Sequence, residues 1–283
     1  TKEDLYAMLD AEPGQILLKK LHKIDLVGVT FWENGFKDFS ANTPILSPSD
    51  LKGKKMRIMK SRIIQRQFRD LGAEPITIDF YATKKALHDH VVDGQENPLI
   101  AFYGMGFYQE QRHLTLSQHA YLGYVFSISA KTYELLSPNE RNLIIQTIKA
   151  LTPWERERTT QKEKEILKKL KDFGVQIHTL TPQQRTEFES YTENIAQRYE
   201  DIIGADLISK TQELLLKRHP KKDILTIGID VDLSIGEYHT GLAIKRGAQL
   251  AVDRINKNGG LLGKSLVLIT KDNRIISSAV TKH

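Results

Sequence analysis

Chemistry in this chain is carried by a few polar side chains set among apolar ones. Arg57 stands in the run Met56-Arg57-Ile58-Met59, whose neighbours predict a strand. A guanidinium presents a rigid fork of donors that meets both oxygens of a carboxylate, and it keeps its charge. Between apolar residues it must find an anion or water, because a buried unpaired charge is costly. The ordinary alternative is a strand arginine in a solvated ion pair, since arginine is rarely buried unless paired. Downstream lies Val92-Asp93-Gly94-Gln95-Glu96-Asn97-Pro98. Asp93-Gly94 is a turn signal, and the proline holds Asn97 extended at a non-helical edge. There the Asn97 amide can both donate and accept toward a ligand.

Other chemistries find less support. His88 and His90 sit two apart on an expected helix and so point to different faces, which argues against a shared metal. His113 and His119 have no serine or cysteine partner arrangement that suggests catalysis. The chain has no cysteine, which excludes disulfides, thiolate chemistry and cysteine-bearing metal sites. No cofactor, metal or catalytic residue is assigned.

The elements that would position Arg57 and Asn97 follow from periodicity and punctuation. Residues 3–22 predict one or two helices interrupted at Glu12-Pro13-Gly14, and Leu26 to Trp32 a buried strand. Asn42 to Asp50 is a turn-rich passage before the strand of Arg57. Arg62 to Leu71 predicts a helix stopped by Gly72, and Pro75 to Asp79 a strand. Thr83 to Val92 predicts a helix with Ala86, Leu87 and Val91 on one face. Such alternation argues for a mainly parallel sheet covered by helices. Beyond it, Asn139 to Ala150 and Pro153 to Asp172 predict two helices, the first opened by Ser137-Pro138 and the second closed by Gly174. Val175 to Leu180 predicts a short strand. Phe188, Tyr191, Ile195, Tyr199 and Ile202 predict one amphipathic helix with a buried stripe.

The stretch Leu51-Lys52-Gly53-Lys54-Lys55-Met56-Arg57, followed at this spacing by Val92 to Pro98, resembles the ligand-binding half of TRAP-type (tripartite ATP-independent periplasmic) solute-binding proteins, the DctP-like family. The resemblance runs from about residue 1 to about residue 215. It implies an α/β, two-lobed periplasmic solute-binding protein fold with an incomplete first lobe. The family's opening βαβ segment would precede Thr1, so the chain is expected to be a segment of a longer one. The resemblance implies that Arg57 grips the solute carboxylate and that Asn97 lines the same cleft. It adds Lys37 and Asn34, from Glu33-Asn34-Gly35-Phe36-Lys37, and Phe80, from Phe80-Tyr81-Ala82, as ligand contacts. Two departures bear on the solute: Lys37 replaces a usual arginine, losing the bidentate fork, and Ala82 replaces a usual glutamate.

The tail changes character. After His219-Pro220-Lys221-Lys222-Asp223 come a buried-type strand, Ile224 to Ile229, a Ser234-Ile235-Gly236 turn, a helix through Asn256, the loop Asn258-Gly259-Gly260 and a strand from Leu266 to Thr270. This order resembles the first βαβ unit of the branched-chain amino-acid-type (type I) periplasmic binding proteins, with Ser234 and Thr240 as its weak ligand candidates. The turn after Ile229 lacks the G-x-G-x-x-G that brings pyrophosphate close, against dinucleotide binding. The expected division is 1–218 (first-lobe remnant about 1–50, second lobe and bracing helices about 51–218), a linker at 219–223, and a partial βαβ unit at 224–283.

Composition agrees with a folded, globular protein. The chain has 283 residues, 40% hydrophobic and 8% aromatic, within the globular range. Its net charge is +6, but lysines alternate with glutamates, as from Lys162 to Lys171, and form no basic stripe, so no nucleic-acid partner is expected. No apolar run reaches the roughly 18–20 residues that span a bilayer, so no direct membrane insertion is expected in this segment. The opening Thr1-Lys2-Glu3-Asp4 is not a signal peptide. What the resemblance implies is a periplasmic, non-enzymatic protein whose partners are a small carboxylate and TRAP membrane permease subunits. The alternative is the periplasmic sensing region of a membrane receptor with tandem solute-binding modules.

Overall fold

A computed structural model describes residues 1–192, 194–219, 224–231 and 238–272. In chain order its elements are α1 (Lys2–Asp10), α2 (Glu12–Lys20), β1 (Leu26–Ala41), β2 (Lys55–Ile58), α3 (Arg62–Asp70), β3 (Glu74–Thr77), α4 (Thr83–His88), β4 (Gly94–Pro98), α5 (Leu99–Gly104), β5 (His113–Ser129), α6 (Ala130–Leu135), α7 (Pro138–Asp172), β6 (Gln176–Thr179), α8 (Pro182–Thr192), α9 (Ile195–Arg198), α10 (Glu200–Ile203), α11 (Ala205–Arg218), β7 (Ile224–Val231), α12 (Tyr238–Lys257) and β8 (Ser265–Asp272). They gather into two compact units, Leu18–Gln197 and Thr1–Leu17 with Arg198–His283. The expected linker at 219–223 falls within the second unit, and residues 220–223 lie outside the described residues.

The unit of residues 18–197 is built on a six-stranded sheet, order β3-β2-β4-β1-β5-β6. β2 runs parallel to β3 and β4, and β5 parallel to β6. The sheet is nevertheless mixed, because its long central strands β1 and β5 are antiparallel from Leu26↔Ser129 to Ala41↔His113, and β1 is antiparallel to β4. The expectation of a mainly parallel sheet is corrected here. It failed because the second half of β1 is rich in polar residues that are buried all the same, among them Glu33, Asn34, Lys37, Asp38 and Ser40. Polar burial of that kind hides a strand from hydropathy.

Alternation along the strands separates two apolar cores. Phe39, Met56, Ile58, Phe68 and Leu71 pack together with Leu180 and Phe188. Leu114, the register partner of Ser40, belongs to the other core with Leu87, Phe102, Phe107, Ile166 and Leu170. α3 starts where the Ser61 side chain accepts the Ile64 N–H, and Gly72 beyond its end takes a φ of +82°. α4 is shorter than expected. It stops at His88, His90 adopts a positive φ, and Val91 is exposed while Val92 takes the core position.

The two helices expected either side of Pro153 are one helix of 35 residues, α7, opened by a Ser137–Glu140 capping box. A mid-helix proline removes one backbone bond and costs about 3 kcal/mol. That loss is outweighed by the stripe Ile148, Thr152, Arg156, Thr159, Ile166 and Leu170, all buried. The single amphipathic helix expected after Thr181 is broken into α8, α9 and α10, and only Phe188 of its stripe is buried; Tyr191 and Ile202 are exposed.

In the other unit, β7 and β8 pair in parallel from Ile224↔Ser265 to Val231↔Asp272, with α12 between them in sequence. Val252, Leu266 and Leu268 form its core. The Asn256 amide bridges to both the N–H and the carbonyl of Leu266, closing α12 onto β8. Ser234, with its turn, lies outside the described residues, and Thr240 is an exposed residue in the first turn of α12. Among the described residues no helix is long and apolar enough to cross a membrane.

Candidate functional site

Three neighbouring strands bring the expected residues to one region of the sheet. Arg57 on β2 is the register partner of Gln95 on β4, and Asn97 on β4 is the partner of Asp38 on β1. Alternation puts Arg57, Gln95, Asn97, Asp38 and Ser40 on one face. A chain of side-chain hydrogen bonds runs from the Asn97 amide to Gln95 and from Gln95 to the Ser40 hydroxyl at 2.7 Å. These bonds fix the Asn97 side chain beside the guanidinium's strand.

Arg57 is 3% exposed. Its Nε and Nη2 both donate to the Ile78 carbonyl, at 3.0 and 2.8 Å. The guanidinium carbon lies 5.9 Å from the centre of the Phe80 ring, within cation–π range. Phe80 is itself held edge-on to Phe107. Burial pulls the Arg57 pKa down, and the charges of Glu96 and Asp79 oppose that. Yet among the described residues no carboxylate comes within ion-pair distance of this guanidinium.

Lys37 and Glu96 occupy the opposite face of the same strands. Lys37 Nζ donates to Glu96 Oε1 at 2.7 Å and touches the Met59 sulfur at 3.2 Å. The pair is almost wholly buried, at 2% and 0% exposure. Burial lowers the Lys37 pKa, Glu96 raises it, and Arg57 nearby lowers it further. His119 on β5 completes the group. Its Nε2 lies 3.7 Å from Glu96 Oε2, its Nδ1 meets the Ser117 hydroxyl at 2.7 Å, and its ring stacks on Phe39 at 4.0 Å. Burial depresses the His119 pKa more than Glu96 lifts it, so the ring favours its neutral form.

The charge count decides what this arrangement can hold. Lys37 and Glu96 cancel, His119 is neutral, and burial pushes Asp38 up to about 7. Arg57 is left in a water-poor setting with no carboxylate at ion-pair distance among the described residues. Such a site favours a single carboxylate, which can take two guanidinium hydrogen bonds at once.

Arg57, Asn97 and Phe80 are thus brought together, with Lys37 across the sheet. Asn34 stands apart: it lies three residues up β1 from Lys37, roughly 10 Å along the strand, beyond the stretch that pairs with β4. It is buried, and its Oδ1 has no hydrogen-bond partner. Glu96, His119 and Asp38 were not singled out from the sequence for this role. Glu96 sat inside the quoted motif, and an acidic residue between two strand positions was the one available signal. For His119 there was none, because a bulge in β5 places it, and for Asp38 there was none, because its partner Gln118 is 80 residues away in sequence.

Two cavities among the described residues do not border Arg57, and the first of them adjoins the His119 group. One of about 130 Å³ is bordered by Phe39, Ser117, Gln118, His119, Arg185 and Phe188. The other, in the terminal unit, is about 640 Å³ and is lined by Asp206, Lys210, Glu213, Asp230 and Thr270 among others. Its lysine is already paired with Glu12 at 2.5 Å, so it offers no free cation for a carboxylate.

Comparison with known proteins gives a consistent neighbourhood. The family model DctP, "Bacterial extracellular solute-binding protein, family 7", matches residues 1–201. The C4-dicarboxylate-binding protein DctB of Bacillus subtilis is 35% identical over 208 residues, covering 73% of this chain and 59% of that protein. The chain spans about three fifths of the length of the curated relatives it matches. Among solved structures, a TRAP periplasmic solute-binding protein from Sulfurospirillum deleyianum with bound succinate is 38% identical, with a TM-score of 0.69 over 76% of this chain and 71% of that one. The sugar acid binding protein DctPAm from Advenella mimigardefordensis, in complex with galactonate, is 30% identical, with a TM-score of 0.72 over 77% and 70%.

Proposed function

This chain belongs to the DctP family of bacterial extracellular solute-binding proteins, and from that premise we propose that it captures a small organic acid in the periplasm for a TRAP membrane permease. The observation that carries the reading is Arg57: buried, aimed by a backbone carbonyl, and without an anionic partner among the described residues. A carboxylate supplies the missing charge. Asn97, fixed through Gln95, contributes a second polar contact, and Phe80 walls the guanidinium on its apolar side. Lys37 is not itself free to grip the ligand, since Glu96 holds it across the sheet. Asn34 contributes at the far end of a longer solute. The sequence suggests no serine partner for His119, but the structure brings Ser117 to its Nδ1 at 2.7 Å; that serine is buried and the histidine stands across the sheet from Arg57, so the proposed activity is binding and release, not turnover.

Relatives bind succinate and galactonate in their solved structures, which supports a C4-dicarboxylate or sugar acid as the solute class. We read β7, α12 and β8 as the opening βαβ unit of a type I binding domain, supported by the parallel pairing of the strands and the Asn258-Gly259-Gly260 loop after α12. The division at residues 219–223 belongs to the same proposal. The test is a calorimetric panel of succinate, malate, galactonate and galacturonate against uncharged sugars. Heat from acids alone supports the reading, and a preference for uncharged sugars defeats it.

A further inference from the structure

Between Phe39↔Thr115 and Lys37↔Ala120 the register of β1 and β5 jumps, so that the four residues Leu116–His119 oppose the single residue Asp38. Bulges of this kind re-aim a side chain that a regular strand would send elsewhere. Here the bulge turns the His119 ring onto Phe39 and toward Glu96, on the face opposite Asp38. Gln118, at its apex, takes a φ of +50°, a conformation that costs a non-glycine residue energy. Something has to hold it there. The backbone N–H of Gln118 donates to Asp38 Oδ1 at 3.0 Å, and the Asp38 side chain is buried. A further hold on the bulge comes from α8, where Arg185 Nη1 donates to the Ser117 carbonyl at 2.7 Å.

We infer that Asp38 is a positioning residue of the binding site: by pinning the bulge at Gln118 it sets His119 against Glu96, and it does so from beside Asn97. The inference rests on the carboxylate-binding reading for its effect on ligand, but its effect on His119 stands without ligand. The groups that face Asp38 are Asn97 on β4, the Gln118 and Ser117 N–H groups on β5, Glu163 on α7 and Arg185 on α8. Burial dominates, and Glu163 adds to it, against the pull of the N–H groups and Arg185; the carboxyl is held up at about 7. Ionisation above that pH puts a negative charge one residue pair from Asn97, where an acid ligand is to sit. Affinity for an anionic solute therefore falls as pH rises through this range.

The experiment compares the whole chain with Asp38→Ala, which loses the acceptor, and Asp38→Asn, which keeps an oxygen but cannot ionise. Imidazole resonances of His119 are followed without ligand, and succinate is titrated by calorimetry between pH 5.5 and 8.5. The expected result is that Asp38→Ala shifts the His119 resonances and weakens succinate about tenfold or more. Asp38→Asn restores both at pH 6 and abolishes the pH dependence of the parent, expected to be about fivefold across the range. Unmoved His119 resonances in Asp38→Ala overturn the inference. Should that variant not fold, a parent pH profile retained in Asp38→Asn overturns it instead. If the parent binds no acid at all, the carboxylate reading falls, while the resonances still decide the role of Asp38.

Discussion

Lys37 Nζ and Glu96 Oε1 meet at 2.7 Å across β1 and β4, and neither side chain reaches solvent. This ion pair neutralises itself behind Arg57, which has no carboxylate within ion-pair distance among the described residues. Desolvation makes such pairs of little net worth while they are intact and costly to break by half.

Glu96→Gln is therefore expected to destabilise the chain by about 3–5 kcal/mol, because it leaves the Lys37 ammonium buried beside Arg57. Removing both charges, as in Lys37→Met with Glu96→Leu, is expected to recover most of that loss. Urea titration of the two variants measures the difference. A single variant within about 1 kcal/mol of the parent would show that the pair is solvated, contrary to its burial here.

Arg57→Lys keeps the charge and loses the fork. The predicted loss in succinate affinity is about 1–3 kcal/mol, the range of a charge-assisted hydrogen bond. Stability should change less than affinity, since the Ile78 carbonyl can still accept from an ammonium. Calorimetry alongside thermal melting separates the two. Equal affinity in the variant removes Arg57 from the site.

Gly94 offers a purely steric prediction. A Cβ there would lie 2.5 Å from the Ser40 carbonyl oxygen and 2.9 Å from the Met56 sulfur. Backbone cannot retreat as a flexible side chain would, so Gly94→Ala is expected to cost about 1–3 kcal/mol. A denaturation midpoint indistinguishable from the parent's would mean that β4 does not lie this close to β1.

Gly94 also illustrates what was legible in the sequence and why. The residue was noticed, but as half of a turn signal; its reason for being glycine is the close approach of β1. Arg57 was legible because apolar neighbours make a charged strand residue conspicuous. Asn97 was legible because Pro98 dictates its backbone. The βαβ of the tail was legible because each of its elements carries ordinary periodicity. By contrast, the polar second half of β1 was illegible, since Lys37, Asp38 and Ser40 are buried through partners on β4 and β5 that hydropathy cannot see. Pro153 marks a helix boundary on local grounds, and tertiary burial of the α7 stripe overrides it. The β5 bulge has no local signature at all: it exists only in the register of two strands far apart in sequence. The strands β2, β3, β6 and the first half of β1 were thus foreseeable, whereas β5, the strand character of Gly94–Pro98, the mixed pairing and the His119–Glu96–Lys37 group were not.

His119 gives a pH prediction whose sign follows from burial. Its folded-state pKa is depressed, with burial the main cause and Glu96 a partial counterweight, while in the unfolded chain it returns to about 6.5. Below about 6.5 the unfolded state takes up a proton that the folded state refuses, so this group contributes stability above that pH and loses it as pH falls toward the folded value. The limiting slope is about 1.4 kcal/mol per pH unit. Protonated carboxylates elsewhere also weaken the fold in acid, so the diagnostic is a difference between two chains. His119→Gln, a neutral residue of similar length, should be less stable than the parent at pH 8, through loss of the Phe39 stack, and should lose less on acidification to pH 5. Urea midpoints at half-unit pH steps provide the comparison. Parallel curves for the two chains across pH 5–8 would mean that His119 titrates normally and is open to water.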